Sequence, residues 1–345
     1  MRIPAMVSAH SHAFQIALRG IGERNDSDFW GWREAMYALA DSFDPDSMYT
    51  AALRTYTEMR RAGYGAVGEF HYVHHNPDGT PYEDPNAMAH AVARAAHDAG
   101  LRIVMLPAAY QRGGLPRFLD PDVDTFLARV DALDVIHGIA AHSVRAVTPH
   151  WLEAIADYSD ATGVVRHVHA SEQPKELEQC QAEHGCSPIE LLHRTGFLGP
   201  LTSVVHGIHV SERDIALLAE SGTTVVSCPT TEGNLGDGFP PALAYRDAGI
   251  PIAVGTDENL VLDPFEELRE LETLARREGR TRDALLSHHG DLWGAVTRAG
   301  AESIGLDDAG TIEIDRDHPR LWGVSDEDLP RALATCASAD VVVGR

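Results

Sequence analysis

Short apolar runs alternate with longer amphipathic stretches from the first residues of the chain to about residue 300. The apolar runs predict eight strands, at 5–9, 66–70, 102–107, 135–141, 164–170, 202–208, 224–228 and 251–256. Helical patterns lie at 44–62, 86–99, 122–133, 149–161, 174–184, 211–221, 240–248, 264–277 and 281–299. Eight strand–helix units within one domain, residues 1–300, are typical of an α/β fold of the (β/α)8 TIM-barrel type. A doubly wound open sheet is the alternative.

The two ends of the chain are less regular than the region between them. The first predicted strand begins at residue 5, so we expect no strand before the barrel. After Gly300, two strand-like runs, 311–314 and 340–343, are separated by polar and proline-containing sequence. Residues 301–345 hold too little structure for an independent domain, and we expect them to form a small C-terminal appendage.

Composition and charge exclude several classes of partner. The 345 residues include 28 Lys and Arg against 52 Asp and Glu, which gives a net charge of −24. That charge repels nucleic acid and anionic membrane surfaces. The sequence has no run of 18 apolar residues, no apolar leader and no CxxC pair among its four cysteines. We therefore expect a cytoplasmic protein that acts on a small molecule, without nucleic-acid or membrane partners.

The scarcity of lysine excludes several kinds of enzyme. Lys175 is the only lysine in the sequence, and it does not lie in a GK[ST] or SxxK motif. A P-loop, a penicillin-type site and a Schiff base on a buried lysine are therefore excluded. The GxSxG, HExxH and H-x-E…P-C-x-x-C motifs are missing as well.

Reactive side chains lie where the predicted strands end. In chain order these are His10 and His12, Glu69 to Tyr72, His142, His169, His206, Cys228 and Asp257. The carboxyl ends of barrel strands meet at one face, and active sites lie there. A barrel has little structural reason to gather imidazoles and a carboxylate at that face, so the set predicts an enzyme.

The spacing of these residues favours a metal site. A strand has a period of two, so His10 and His12 project to the same side, into the barrel mouth. His169 and Asp257 would complete a set of three nitrogens and one oxygen, which suits Zn²⁺ and leaves one position open for water. Binuclear sites of this architecture often need a bridging lysine on a central strand, whereas Lys175 lies on a predicted helix. One zinc ion is the prediction, with other divalent metals such as Fe²⁺ as alternatives.

Asp257 of this set and two side chains near it, Glu172 and His206, are candidates for catalysis. A bound zinc ion would lower the pKa of its water to roughly 7 and supply hydroxide for hydrolysis. Glu172 follows His169 by three residues and is a candidate to protonate the leaving group. Asp257 would act as ligand and base, and His206 would steady the attacking oxygen.

Longer motifs carry a family resemblance over roughly residues 5–300. They are HSHAFQ (10–15), FWGWREAMY (29–37), VGEFHYVHH (67–75), AHSVRAVTP (141–149), HVHASEQ (167–173) and CPTTEGNLGDG (228–238). Together they resemble the N-formimino-L-glutamate deiminases, within the mononuclear deaminase branch of the amidohydrolase superfamily. The resemblance implies hydrolysis of a linear amidine in bacterial histidine degradation, in which hydroxide on the metal attacks the formimino carbon, ammonia leaves and N-formyl-L-glutamate remains.

The resemblance also implies roles for particular residues. His10, His12, His169 and Asp257 would bind zinc, and Glu172 and His206 would be catalytic. The substrate would be held by Gln15, Arg33, Tyr72, His142 and Arg145. Arginine side chains suit a substrate with two carboxylates, because the guanidinium group binds a carboxylate in bidentate fashion. Arg33 also lies in an aromatic-rich stretch, where packing on Trp30 or Trp32 is the alternative.

The chain departs from the family in two respects. Family members carry a small β-sandwich built from both termini, which here is largely missing apart from a remnant in 301–345. We expect exposed apolar surface where that sandwich would pack, and a homodimer is one way of covering it. Glu258 follows Asp257 in place of a small residue and would alter the surroundings of the metal.

Two other functions remain open from the sequence. A related zinc deaminase could act on a nucleobase or triazine ring, which would need an aromatic pocket rather than paired arginines. A truncated, catalytically silent barrel that serves as a binding protein is the alternative from another class, and the reduced sandwich motivates it.

Overall fold

The strands of the protein form two sheets. The computed structural model describes residues 1–22, 29–282, 284–286 and 292–344. Its strands are β1 (Arg2–Pro4), β2 (Met6–Ser11), β3 (Tyr64–His71), β4 (Arg102–Ala109), β5 (Ile139–Ser143), β6 (Arg166–Ala170), β7 (Thr202–His206), β8 (Thr224–Ser227), β9 (Ile252–Val254), β10 (Thr311–Ile314) and β11 (Val342–Gly344). Strands β2 to β9 form one parallel sheet in sequence order, and β1, β10 and β11 form the other. The predicted TIM-type barrel is confirmed.

Helices follow most of the barrel strands. They are α1 (Phe29–Asp41), α2 (Pro45–Ala62), α3 (Ala87–Ala99), α4 (Val123–Asp131), α5 (Pro149–Thr162), α6 (Pro174–His184), α7 (Pro188–Arg194), α8 (Glu212–Ser221), α9 (Pro229–Leu235), α10 (Ala242–Asp247), α11 (Pro264–Gly279), α12 (Leu292–Ala295), α13 (Arg298–Ser303) and α14 (Leu329–Cys336). Short 3-10 helices lie at Ala13–Leu18, Pro116–Phe118, Pro319–Leu321 and Ala339–Val341. Among the described residues, none of the helices combines the length and the apolar composition that a membrane span requires.

Local sequence signals account for many of the helix boundaries. Helix α8 begins with a capping box, in which the Ser211 side chain accepts from the backbone of Asp214. Asp263 is the N-cap of helix α11, and its carboxylate accepts from two backbone N–H groups. Gly63 ends α2 with φ 105°, a conformation that favours glycine.

The barrel closes between the end of β2 and the segment after β9. Ser11 and Asp257 form a parallel bridge. The backbone N–H groups of Thr256 and Asp257 donate to the His10 carbonyl at 2.9 and 3.1 Å, and the His12 N–H donates to Asp257 at 2.9 Å. Closure of the barrel therefore brings the end of the first predicted strand next to the end of the eighth.

Some predicted boundaries shift. The fourth barrel strand, predicted at 135–141, lies at Ile139–Ser143, and His137 makes only an isolated bridge to Met105. The predicted helix 281–299 contains α12 and the start of α13, while residues 283 and 287–291 lie outside the described residues. The aromatic stretch 29–37, which has no assigned element in the sequence analysis, forms most of α1.

The small sheet corrects one expectation about the ends of the chain. Strand β1 precedes the barrel and pairs antiparallel with β10, and β11 pairs with the other edge of β10. The two predicted runs at 311–314 and 340–343 thus contribute strands, and residues 2–4 supply the third. Apolar surface is exposed in this region, because Trp322 is 88% exposed and Val343 is 60% exposed. The division of the chain at residue 300 stays a prediction.

Candidate metal centre and active site

Four buried side chains converge at the carboxyl ends of the barrel strands. His10 lies on β2, His12 follows it directly, His169 lies on β6 and Asp257 follows β9. Their ligand atoms all lie within 4.8 Å of one another. Gly255 makes room for this arrangement, because a Cβ at that position would lie 2.8 Å from the His10 Cβ.

In His12 and His169, the hydrogen bond made by Nδ1 determines whether Nε2 carries a proton. Nδ1 of His12 donates to the Phe70 carbonyl at 2.8 Å, and Nδ1 of His169 donates to the His142 carbonyl at 3.0 Å. In a neutral ring this leaves a lone pair on Nε2. Nε2 of His10 lies 3.2 Å from Nε2 of His12 and 3.0 Å from that of His169. If His10 carries its proton on Nε2, that proton can bridge only one of the two contacts. If it carries the proton on Nδ1, both contacts bring two lone pairs together and are repulsive.

A metal cation among these atoms would remove that repulsion. Asp257 Oδ1 lies 3.3 Å from His12 Nε2 and 3.5 Å from His10 Nε2, on the same inner side. Three imidazole nitrogens with one carboxylate form a donor set that suits Zn²⁺. The residues present therefore fit the metal that the sequence predicts, and the identity of the ion stays a proposal.

Burial prepares these side chains for coordination. Loss of hydration lowers the pKa of His10 to about 3 and lowers the pKa of both His12 and His169, so all three rings are neutral at pH 7. Burial alone would raise the pKa of Asp257, but the hydrogen bond from His10 and the neighbouring imidazoles hold it below its usual value. Neutral imidazoles and an ionised carboxylate are the forms that bind metal.

Backbone strain is concentrated at the same face. Ser171, His206 and Asp257 follow or end β6, β7 and β9, and they have φ values of 58°, 73° and 43°. Residues other than glycine rarely adopt this left-handed backbone conformation. Asn259 supports the strained segment, because its Nδ2 donates to the His12 carbonyl at 2.9 Å and to the Asp257 carbonyl at 3.0 Å.

Glu172 and His206 lie beside the four converging side chains. Nε2 of His206 lies 3.8 Å from Glu172 Oε1 and 3.8 Å from Asp257 Oδ2. Burial raises the pKa of Glu172. Burial lowers the pKa of His206, but Glu172, Glu232 and Asp257 outweigh it and raise that pKa to about 10. The Glu172 carboxyl group, whose pKa is raised, and the protonated His206 ring therefore lie next to each other, beside the Asp257 carboxylate.

A cavity of about 270 Å³ opens onto these groups. Its walls include every predicted site residue except the fully buried His10, namely His12, Gln15, Arg33, Tyr72, His142, Arg145, His169, Glu172, His206 and Asp257. The structure therefore brings the predicted catalytic, metal-binding and substrate-binding residues into one place. Their individual roles stay predictions.

The cavity walls hold two arginines in different settings. Nε of Arg33 donates to Tyr37 Oη at 2.9 Å, and its guanidinium lies 5.4 Å from the Trp30 ring centroid. The predicted packing on Trp30 therefore coexists with a place in the cavity. Arg145 is largely buried, with Nη2 at 3.8 Å from Glu172 Oε2.

Several residues that line the cavity or lie behind it were not predicted from the sequence. Tyr110 directly follows β4, the one predicted strand for which no end residue was proposed, and its Oη lies 3.3 Å from His142 Nε2. Glu232, in the motif 228–238, lies 3.4 Å from His206 Nδ1. Position after a strand could have identified Tyr110, whereas Tyr37 and Arg112 reach the cavity only through the fold.

Two residues that the sequence singled out lie away from the converging side chains. Lys175 lies on α6 and places its Nζ 4.3 Å from the Trp30 ring centroid, so it is not positioned as a bridge between metals. Glu258 is buried and accepts from Asn234 Nδ2 at 2.8 Å. Its carboxylate thus joins the segment after β9 to α9.

Known proteins with similar sequences are deaminases. The profile of the amidohydrolase family matches residues 1–317. The chain is 35% identical over 329 residues to the formimidoylglutamate deiminase of Pseudomonas aeruginosa, which covers 88% of this chain and 72% of that protein. It is 30% identical over 348 residues to a 5-methylthioadenosine/S-adenosylhomocysteine deaminase of Halobacterium salinarum, which covers 94% and 75%.

Solved structures share the architecture. An amidohydrolase from Brucella melitensis superposes with a TM-score of 0.88 at 30% identity, covering 99% of this chain and 84% of that one. An adenosine deaminase from Xanthomonas campestris, solved with bound zinc, superposes with a TM-score of 0.85 at 23% identity, covering 99% and 77%. Because these matches cover nearly all of this chain, they include both the barrel and the region of the small sheet.

Proposed function

Because the chain belongs to the amidohydrolase family, we propose that it is a metal-dependent deiminase that hydrolyses N-formimino-L-glutamate to N-formyl-L-glutamate and ammonia. One observation carries this proposal. A single cavity has three of the four converging side chains, His12, His169 and Asp257, at its base, with His10 buried behind them, and Arg33 and Arg145 on its walls. The similarity to a formimidoylglutamate deiminase over most of the chain supports the same substrate.

The base of the cavity supplies the chemistry. His10, His12, His169 and Asp257 would hold one divalent ion, proposed to be Zn²⁺, which lowers the pKa of bound water and so provides a nucleophile at neutral pH. Glu172, whose Oε1 lies 3.8 Å from His206 Nε2, would move a proton from the attacking water to the nitrogen of the substrate, so that the C–N bond breaks and ammonia leaves.

The remaining residues orient the reactants. The positive ring of His206 would stabilise the charge that develops on the attacking oxygen, because its Nε2 faces both Glu172 and Asp257. Gln15 and Tyr72 are joined by a hydrogen bond of 2.9 Å and would hold the polar end of the substrate. His142 lines the same wall, beside Tyr110.

The arginines would bind the two carboxylates of the glutamate moiety. A protein with a net charge of −24 has to neutralise a dianion locally, and guanidinium groups do so with directional hydrogen bonds. Nε of Arg145 has no hydrogen-bond partner among the described residues, although the atom is buried. Substrate binding would supply that partner.

Replacing Arg145 tests this assignment. Arg145→Met should raise the KM for N-formimino-L-glutamate by about 10- to 100-fold with a smaller change in kcat, because a charged hydrogen bond to the ground-state substrate is lost. Arg112→Met is the matched control, since Arg112 also lines the cavity but already binds Glu183 at 2.8 and 3.1 Å. An unchanged KM in Arg145→Met, measured by steady-state ammonia release, would place the carboxylate contact elsewhere.

Deamination of a nucleoside is the second candidate. The similarity to 5-methylthioadenosine/S-adenosylhomocysteine deaminases favours it, and so do the aromatic rings of Trp30, Tyr37, Tyr72 and Tyr110 on the cavity walls. Ammonia release from N-formimino-L-glutamate, adenosine, 5-methylthioadenosine and a triazine separates the candidates. We expect kcat/KM for N-formimino-L-glutamate to exceed the others by at least about 100-fold. A higher value for a nucleoside or the triazine would reverse the assignment.

A further inference from the structure

We infer that Glu232 is a positioning residue for the reaction, which orients the imidazole of His206 toward the reacting atoms. The inference rests on the proposed function, because it assigns His206 a part in catalysis. Glu232 lies on α9, within the motif 228–238, and its side chain does not line the cavity. It would therefore act through His206 rather than by touching the substrate.

The carboxylate of Glu232 is held in one orientation. Oε1 accepts from the backbone N–H of Cys228 at 2.7 Å, and Oε2 accepts from the Ser227 hydroxyl at 2.9 Å. Both donors lie at the end of β8, one turn before Glu232, and Glu232 itself is 1% exposed. With one protein donor on each oxygen, the carboxylate has little freedom to rotate.

His206 depends on that carboxylate for its orientation. Its Nδ1 lies 3.4 Å from Glu232 Oε1. A carboxylate only accepts, so Nδ1 carries the proton of this hydrogen bond. Nε2 is then directed to the opposite side, where Glu172 Oε1 and Asp257 Oδ2 each lie 3.8 Å away. A ring flip would put Cδ2 in the place of Nδ1 and Cε1 in the place of Nε2, and so break the contact with Glu232.

The backbone at His206 adds a reason for this support. His206 ends β7 with φ 73°, a backbone conformation that costs free energy for any residue other than glycine. Strained residues persist where surrounding contacts hold them in place. Together, the strained backbone and the anchored Glu232 carboxylate favour a single orientation of the His206 ring.

If Glu232 had a purely structural role, it would serve to anchor α9. The neighbouring Glu267 provides a control for that possibility. Glu267 on α11 is also fully buried and accepts from the backbone N–H of Thr230 at 3.1 Å and from its hydroxyl. Glu267 thus anchors the first turn of α9, and within the described part of the chain its hydrogen bonds are to Thr230 rather than to His206. Glu267→Gln therefore weakens the helix attachment while leaving the Glu232–His206 contact in place.

A double-mutant cycle tests the inference. Glu232→Gln keeps the shape and an acceptor oxygen but removes the charge, and we expect kcat to fall by about 10- to 100-fold with KM changed less than about twofold. In a His206→Gln background the same substitution should cause no further loss, because Glu232 acts through His206. Glu267→Gln should lower activity by the same factor in both backgrounds. All variants are compared at equal metal content and by thermal unfolding. Multiplicative losses for Glu232→Gln would overturn the inference.

A second measurement does not depend on the substrate. ¹⁵N NMR of the His206 ring should show a protonated Nδ1 in the parent protein and a changed Nδ1 signal in Glu232→Gln, with the parent signal retained in Glu267→Gln. An unchanged signal in Glu232→Gln would overturn the inference even if N-formimino-L-glutamate proved not to be the substrate. Conversely, failure of the parent protein to deaminate N-formimino-L-glutamate, with the NMR result as expected, would overturn only the proposed function.

Discussion

Glu172→Gln is expected to lower kcat by about 10²- to 10⁴-fold, the usual contribution of a positioned general acid–base group. The amide has nearly the same shape but cannot carry a proton between the water and the leaving nitrogen. Glu172 lies outside the four converging side chains that we propose bind the metal, so the variant should retain its full metal content. Ammonia release together with metal analysis of the same sample measures both expectations.

The matched control is Glu178→Gln, which makes the same change on an exposed residue of α6. It should leave kcat within about twofold of the parent value, since surface substitutions have small effects. Normal turnover by Glu172→Gln would remove Glu172 from the mechanism. Loss of metal in that variant would show instead that the residue supports the metal site.

Asp257→Ala should abolish measurable turnover and weaken metal binding, because it removes the only oxygen donor among the four converging side chains. A ligand that binds the folded state stabilises it. The parent protein should therefore show a higher Tm with added Zn²⁺ than after chelation, and this shift should shrink in the variant. Thermal unfolding with and without metal, and metal content after dialysis, are the measurements.

Asp124→Ala provides the comparison for this variant, because Asp124 is exposed on α4, away from the cavity. Its turnover and its metal-dependent shift in Tm should match the parent protein. If Asp257→Ala bound stoichiometric metal and turned over normally, the four-residue site would be wrong. If chelation left the activity of the parent protein unchanged, the reaction would not depend on a metal.

Much of the site follows from chain order and strand periodicity. In a parallel barrel, the end of each strand reaches one face whatever the loops do, so His10, His169 and Asp257 could be placed together from their positions after apolar runs. The period of two placed His12 with His10. The same reasoning, applied to the strand at 102–107, would have found Tyr110.

Other features depend on contacts that a local pattern does not record. Strand β1 has three residues, and it pairs with β10 about 310 positions away, so no periodicity marks it. Helix α1 carries Arg33 and Tyr37 to the cavity, where Arg33 Nη2 donates to the Gly113 carbonyl at 3.0 Å, 80 positions along the chain. The partnership of Glu232 with His206 joins two different strand–helix units, β8–α9 and the end of β7. The sequence identifies such residues only after the fold is known.

Product analysis tests the proposed reaction most directly. The zinc-loaded protein is incubated with N-formimino-L-glutamate, and the products are identified by NMR while ammonia is quantified in the same sample. We expect one ammonia and one N-formyl-L-glutamate for each substrate consumed, at a rate that chelation abolishes and Zn²⁺ restores. Unchanged substrate, or release of L-glutamate with formamide instead, would contradict the proposed function.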